Sequence, residues 1–275
     1  MTDKLAIIAG MGALPRHLAD NLHGTGATPL LCGIEGFTAE GLELDMTFRV
    51  ERLALFLRAL AEADVTRVIF VGVIQRPRLD PAHFDPETAA LVPKLLPSLQ
   101  GGDDALLRGV VGLFEDAGFA VVGVSDVAPE LVPGAGVLTS HVPSKADEGD
   151  TARAAQIVAS LGALDVGQGA VVAQGQCLAT EALPGTDAML GFVAQYAARL
   201  RPNPQGTKGV LYKAPKPGQE CRIDLPALGP ATVRAAAEAG LGGIVWEAGG
   251  ALLLDRAEMI ARAEELGLFL WARAS

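Results

Sequence analysis

Cysteine is scarce in this 275-residue chain, which carries only Cys32, Cys177 and Cys221. An odd count without a CxxC spacing argues against a disulfide framework and fits a reducing cytoplasm. The four histidines (His17, His23, His83, His141) form no HxH or HxxxH pair, so a zinc site is not expected. Basic residues are outnumbered, and the net charge of −10 argues against a nucleic-acid binder, which needs a basic face. A nucleotide substrate stays open, since a few local cations or one Mg²⁺ ion would serve it. No apolar run approaches the roughly 18 residues of a membrane span. The start, MTDKLAIIAG, is too briefly apolar for a signal peptide. A soluble protein is expected, still able to touch a membrane surface. Aromatics make up 5% of the chain, so its interior must rest mainly on Ala, Val and Leu.

What is abundant is alternation. Apolar runs at Leu5–Ala9, Thr28–Cys32, Arg67–Val73 and Ala120–Val124 read as strands. Helical patterns at Leu14–Leu22, Arg52–Ala63 and Asp103–Ala117 lie between them. This spacing predicts an open, mostly parallel sheet with helices on both faces. A stretch rich in Pro and Gly follows near 128–143. We expect an N-terminal domain over residues 1–132, a linker over 133–145 and a C-terminal α/β domain over 146–275. In the second half, strands are expected at Ala170–Ala173, Gly209–Lys213, Gly243–Trp246, Ala251–Leu254 and Leu268–Trp271. Helices are expected at Asp150–Ala163, Asp187–Leu200, near Pro230–Ala239 and at Arg256–Leu266. Ligands of such folds sit at the carboxyl ends of strands, commonly in a cleft between domains.

Three constellations could carry chemistry. In IIAGMGALP, Gly10 and Gly12 join a strand to a helix start, where backbone N–H groups can meet a phosphate. The third glycine of a dinucleotide fingerprint is absent, and Leu31-Cys32-Gly33, rather than an acid, closes the second strand. A turn that serves packing alone explains the motif equally well. The second constellation is Arg76 with GGDDALLRGV. Arg76, just past a strand, can grip a phosphate through its fork. Asp103 and Asp104 either cap a helix or reach a ligand, and Arg108 stands at i+4 to Asp104.

The third is the densest. Gln174, Gln176, Glu181, Thr186, Asp187, Lys213, Lys216 and Asp224 all stand at strand ends or in the following turns of AVVAQGQCLATEALPGTDAML and KAPKPGQECRIDLPALGP. Splitting a diphosphate requires neutralised oxygens, an aligned water and often Mg²⁺ held by carboxylates. Glu181, Asp187 and Asp224 can be metal ligands or bases, and Lys213 and Lys216 fixed positive charges. Gln174, Gln176 and Thr186 can orient substrate or water. Asp224 stands just before Leu225-Pro226 with no evident packing use, or else pairs with Arg222. Helix capping and turn formation are the plain alternative for the group.

These two long motifs, with IIAGMGALP and GDDALLRGV in the first half, closely resemble the LpxI family of UDP-2,3-diacylglucosamine pyrophosphatases over nearly the whole chain. The resemblance implies an N-terminal Rossmann-like domain and a C-terminal domain distinctive of the family. It implies hydrolysis of UDP-2,3-diacylglucosamine to lipid X (2,3-diacylglucosamine 1-phosphate) and UMP, a step of lipid A biosynthesis in Gram-negative bacteria. It also implies dependence on Mg²⁺ (or Mn²⁺). The essential Asp of the family's R-x-D-L-P motif falls on Asp224, and Gln174, Glu181, Thr186, Asp187 and Lys213 match motif positions. A cytoplasmic enzyme with peripheral contact at the inner membrane is compatible with this, as is a homodimer. Two other readings compete. An NAD(P)-dependent oxidoreductase would use the Gly-x-Gly turn, and a non-catalytic binder of nucleotide sugars or lipids would need no metal.

Overall fold

The structure is a computed structural model that describes residues 3–37, 39, 41–74, 79–99 and 103–274. The chain divides into two compact units. The first contains Met1–Ala128 and, from much later in the sequence, Glu220–Asp224; the second contains Pro129–Gln219 and Leu225–Ser275.

The first unit is the expected parallel α/β layer. Its strands are β1 (Lys4–Ala9), β2 (Leu30–Ile34), β3 (Met46–Phe48), β4 (Val65–Val71) and β5 (Ala120–Val121), and its helices include α1 (Leu14–Gly24), α2 (Leu53–Glu62), α3 (Pro86–Leu99), α4 (Asp103–Asp116) and α5 (Val124–Val127). The strand order is β3-β2-β1-β4-β5, with every pairing parallel. The order reverses between β1 and β4, the usual ligand crevice of such sheets. Ala6, Ile7, Ile8 and Ala9 are all fully buried, as a strand covered on both faces requires.

Helix α3 escapes a reading by periodicity because Pro93 and Pro97 fall inside it, and interior prolines normally break helices. Its start is nonetheless written in the sequence. The Asp85 carboxylate accepts from the Glu87 and Thr88 amides at 3.0 and 2.9 Å, with Pro86 at the first helical position.

The second unit holds β6 (Gly136–Val137), α6 (Lys145–Ala163), β7 (Gly169–Ala173), β8 (Gln176–Thr180), α7 (Gly185–Tyr196), β9 (Val210–Lys213), β10 (Ala227–Leu228), α8 (Pro230–Glu238), β11 (Gly243–Glu247), β12 (Leu252–Leu253), α9 (Arg256–Leu266) and β13 (Phe269–Arg273). Its main sheet runs β6-β13-β11-β9-β7-β8, parallel at the centre and antiparallel towards both edges. A separate parallel pair joins β10 to β12. One face packs with α7, α8 and α9 residues such as Leu190, Val233 and Met259; the other packs with Ala154 and Val158 of α6. Helix α6 begins five residues before the expected Asp150, because Ser144 and Asp147 form a reciprocal cap there.

The hairpin β7–β8 turns on Gln174 and Gly175, with φ of 55° and 77°. Two successive left-handed residues are what a two-residue hairpin needs to match strand twist. The Asp150 carboxylate, 3% exposed, accepts from both turn amides, at 2.9 and 2.6 Å. Asp150→Ala is therefore expected to lower stability by about 2 kcal/mol, since it strands two donors. Asp150→Asn, which keeps one acceptor, should cost less; calorimetric unfolding of both variants checks the order.

Candidate active site

The site grows from one row of the second sheet. Lys213, the last residue of β9, is in register with Gly169 on β7 and with Trp246 on β11. Partners across a sheet share a face, so Lys213 rises from the strand end between an indole and a bare backbone. The missing side chain of Gly169 makes the room. A Cβ there would lie 2.5 Å from Glu181 Oε2, so the carboxylate of Glu181 occupies the space that any larger residue would fill. The Glu181 amide donates to the Gly169 carbonyl at 2.8 Å, which fixes the chain just after β8.

Thr186, in the first turn of α7, completes the array. Lys213 Nζ donates to Thr186 Oγ1 at 2.5 Å, and that hydroxyl donates to Glu181 Oε2 at 2.9 Å. The ammonium and the carboxylate are also a direct ion pair at 3.4 Å. Lys213 and Glu181 are only 6% and 7% exposed. An ion pair this buried is strongly costly to break, because the remaining charge has no water to replace its partner.

The structure thus brings together three of the expected residues, Glu181, Thr186 and Lys213. Asp187 follows Thr186 and is exposed at the start of α7, where a carboxylate interacts favourably with the helix dipole. Gln174 belongs to the hairpin turn. Its carboxamide donates to the carbonyls of Asn203 (2.7 Å) and Thr207 (3.0 Å) and accepts from the Asn203 amide (2.8 Å). Gln176 is exposed at the start of β8. Lys216 pairs with Asp165 at 2.5 Å.

The donor set around Lys213 does not fit a metal cage. Glu181 Oε2 already faces an ammonium and a hydroxyl, and no group of three His, Cys, Asp or Glu residues converges among the described residues.

The remaining expected residues lie in the first unit. Gly10 follows β1 at the crevice where strand order reverses, but it is packed tightly. A Cβ on Gly10 would stand 2.7 Å from the Val73 carbonyl oxygen, and Met11 and Val73 exchange backbone hydrogen bonds at 2.8 and 3.0 Å. Gly12 has a φ of 90° and open space where a Cβ would be. Strand β2 runs to Ile34, so an acid, Glu35, does follow its end, and its carboxylate faces Arg49 at 3.6 Å. Arg76 lies outside the described residues.

Asp224 belongs to the five-residue segment that joins the first unit. Asp104 receives this segment: its Oδ1 accepts from the Glu220 amide at 2.8 Å, while Oδ2 meets Arg108 at 2.5 Å. Glu220 and Arg222 form a fork, with Nε and Nη2 of the arginine donating to the two carboxylate oxygens at 2.8 and 2.7 Å. Those bonds hold the Glu220 carboxyl below the usual range and push the arginine's pKa further up. Sequence reading missed Glu220, which sits beside a solvent-exposed cysteine in a turn with no periodicity. It also considered Arg222 only as a partner of Asp224.

Comparison with known proteins covers both units. The family model of the LpxI N-terminal domain matches residues 4–131, and that of the LpxI C-terminal domain matches residues 134–271. A UDP-2,3-diacylglucosamine pyrophosphatase LpxI from Caulobacter vibrioides is 39% identical over 269 residues, which span 97% of this chain and 96% of that protein.

The bridging hydroxyl gives a test that needs no substrate. Thr186→Val removes the oxygen shared by both charges and should cost about 1–3 kcal/mol. Thr186→Ser should recover most of that loss in thermal or urea unfolding.

Proposed function

The chain belongs to the LpxI family, and from that premise we propose how it hydrolyses the diphosphate of UDP-2,3-diacylglucosamine. The products are proposed to be lipid X and UMP, released on the cytoplasmic side of the inner membrane within lipid A biosynthesis. The observation that carries the reading is the Lys213–Thr186–Glu181 array at the carboxyl end of β9. A desolvated ammonium at a strand end can take up the charge that develops on a phosphoryl oxygen. Glu181 then acts as its counter-charge, and Thr186 fixes the direction in which the ammonium points.

Asp224 is proposed to align the attacking water and accept its proton; the water oxygen bonds to one phosphorus while the bridging P–O bond breaks and its electron pair leaves on the departing phosphate oxygen. Gln176 and Gly12, both open to approach, are proposed as substrate contacts, and Asp104 supports the segment that carries Asp224. Mg²⁺ or Mn²⁺, implied by the family resemblance, would neutralise diphosphate charge. Asp187, exposed at the start of α7, is proposed to meet it, whereas Glu181 is turned towards Lys213.

The test is incubation of purified protein with UDP-2,3-diacylglucosamine. UMP should appear with Mg²⁺ and cease with EDTA. Asp224→Ala should release none while keeping a native circular dichroism spectrum. No UMP from the native chain with Mg²⁺, or normal turnover by Asp224→Ala, would overturn the reading.

A further inference from the structure

The segment that carries Asp224 is held to the first unit by side-chain and backbone contacts along its length. Arg222 grips Glu220 through both carboxylate oxygens at 2.8 and 2.7 Å, and its Nη1 reaches Glu115 on α4 at 2.7 Å. The same nitrogen approaches the carbonyl of Val121 on the edge strand β5 at 3.4 Å. The backbone is packed just as closely: a Cβ on Gly123 would stand 3.3 Å from Arg222 Cα. Ile223 inserts beside the apolar core of the first unit, and Asp104 accepts the Glu220 amide. Finally, the Asp224 amide donates to the Glu220 carbonyl at 3.1 Å, so the residue clasped by Arg222 also sets the backbone of Asp224.

Gln219 and Leu225, on either side, belong to the second unit. A segment this short, tethered at both ends to a different body, keeps its place in the first unit only through such contacts. We propose that Arg222, with Glu115 as its second anchor, is a positioning residue for the reaction. It acts through Glu220 to hold the Asp224 backbone in one conformation. This rests on the catalytic role assigned to Asp224 above. The geometry calls for arginine in particular. Its rigid planar fork meets two oxygens of Glu220 and one of Glu115 together, whereas a lysine ammonium is a single point charge on a flexible stem.

Two measurements on Arg222→Lys test the proposal, one of them independent of substrate. Amide hydrogen exchange in the peptide containing residues 220–224 should rise tenfold or more, with amides of β1 and β4 unchanged. Turnover should fall at least about tenfold while KM stays within about twofold, as expected for an interaction that matters in the transition state. Glu115→Gln, which leaves the Glu220 fork intact, should move both readouts in the same direction by less, and it stands in for Arg222→Lys if that variant does not fold. Unchanged exchange in the segment overturns the clasp. With a native chain that releases UMP, kcat within twofold of native, or a raised KM with kcat intact, overturns the positioning role. A native chain that releases no UMP, together with the expected rise in exchange, overturns the catalytic reading of Asp224 and leaves the clasp standing.

Discussion

A lysine and a glutamate, each more than nine-tenths buried, constrain everything around them in the second unit. Removing either charge from water costs several kcal/mol, and the pair persists only if its geometry and its remaining hydrogen bonds are nearly complete. Three local features meet that demand. Gly169 leaves the space for the carboxylate, Thr186 supplies the shared hydroxyl, and the register of β7, β9 and β11 places Lys213 beside both. The loop from Glu181 to Thr186 has to be short for its two ends to meet at one ammonium, and Gly185, with a φ of 86°, starts α7 at once. Fold and site are therefore the same construction seen at two scales.

The first unit follows another logic. Its parallel sheet creates the crevice between β1 and β4, but the turns there are stitched to each other by backbone hydrogen bonds and close glycine contacts. The chemistry proposed for this unit arrives from the far end of the chain, on Glu220–Asp224. Part of a family motif that reads as belonging to the C-terminal half, Glu220–Asp224, is by its contacts a piece of the N-terminal body. Asp104, which in sequence offers itself as a helix cap, receives it together with Glu115.

Much of this was legible in the sequence, for physical reasons that differ by element. Buried parallel strands announce themselves as apolar runs, so β1, β4, β9 and β11 fell where alternation put them, while β2 runs two residues further than expected, to Ile34. The carboxylate, hydroxyl and ammonium at strand ends were legible as a group because polar residues rarely cluster so without use. What stayed hidden depended on long-range partners. Gly169 looks like any strand-edge glycine until Glu181 is placed over it. Gln174 reads as a ligand residue, yet its carboxamide closes a loop near thirty residues away. Helix α3 was obscured by its own prolines, although the Asp85-Pro86 start was there to be read. The second anchor of Arg222 could not be read at all, since Glu115 stands 107 residues earlier.

The central claim is that Lys213 and Glu181 are energetically one unit. A double-mutant cycle measures this directly, using the unfolding free energies of Glu181→Gln, Lys213→Met and the two combined. The account predicts that each single variant is severely destabilised and that the double variant loses clearly less than the sum, with a coupling of about 1–3 kcal/mol. Additive losses would mean that the two charges stand independently, and would contradict it.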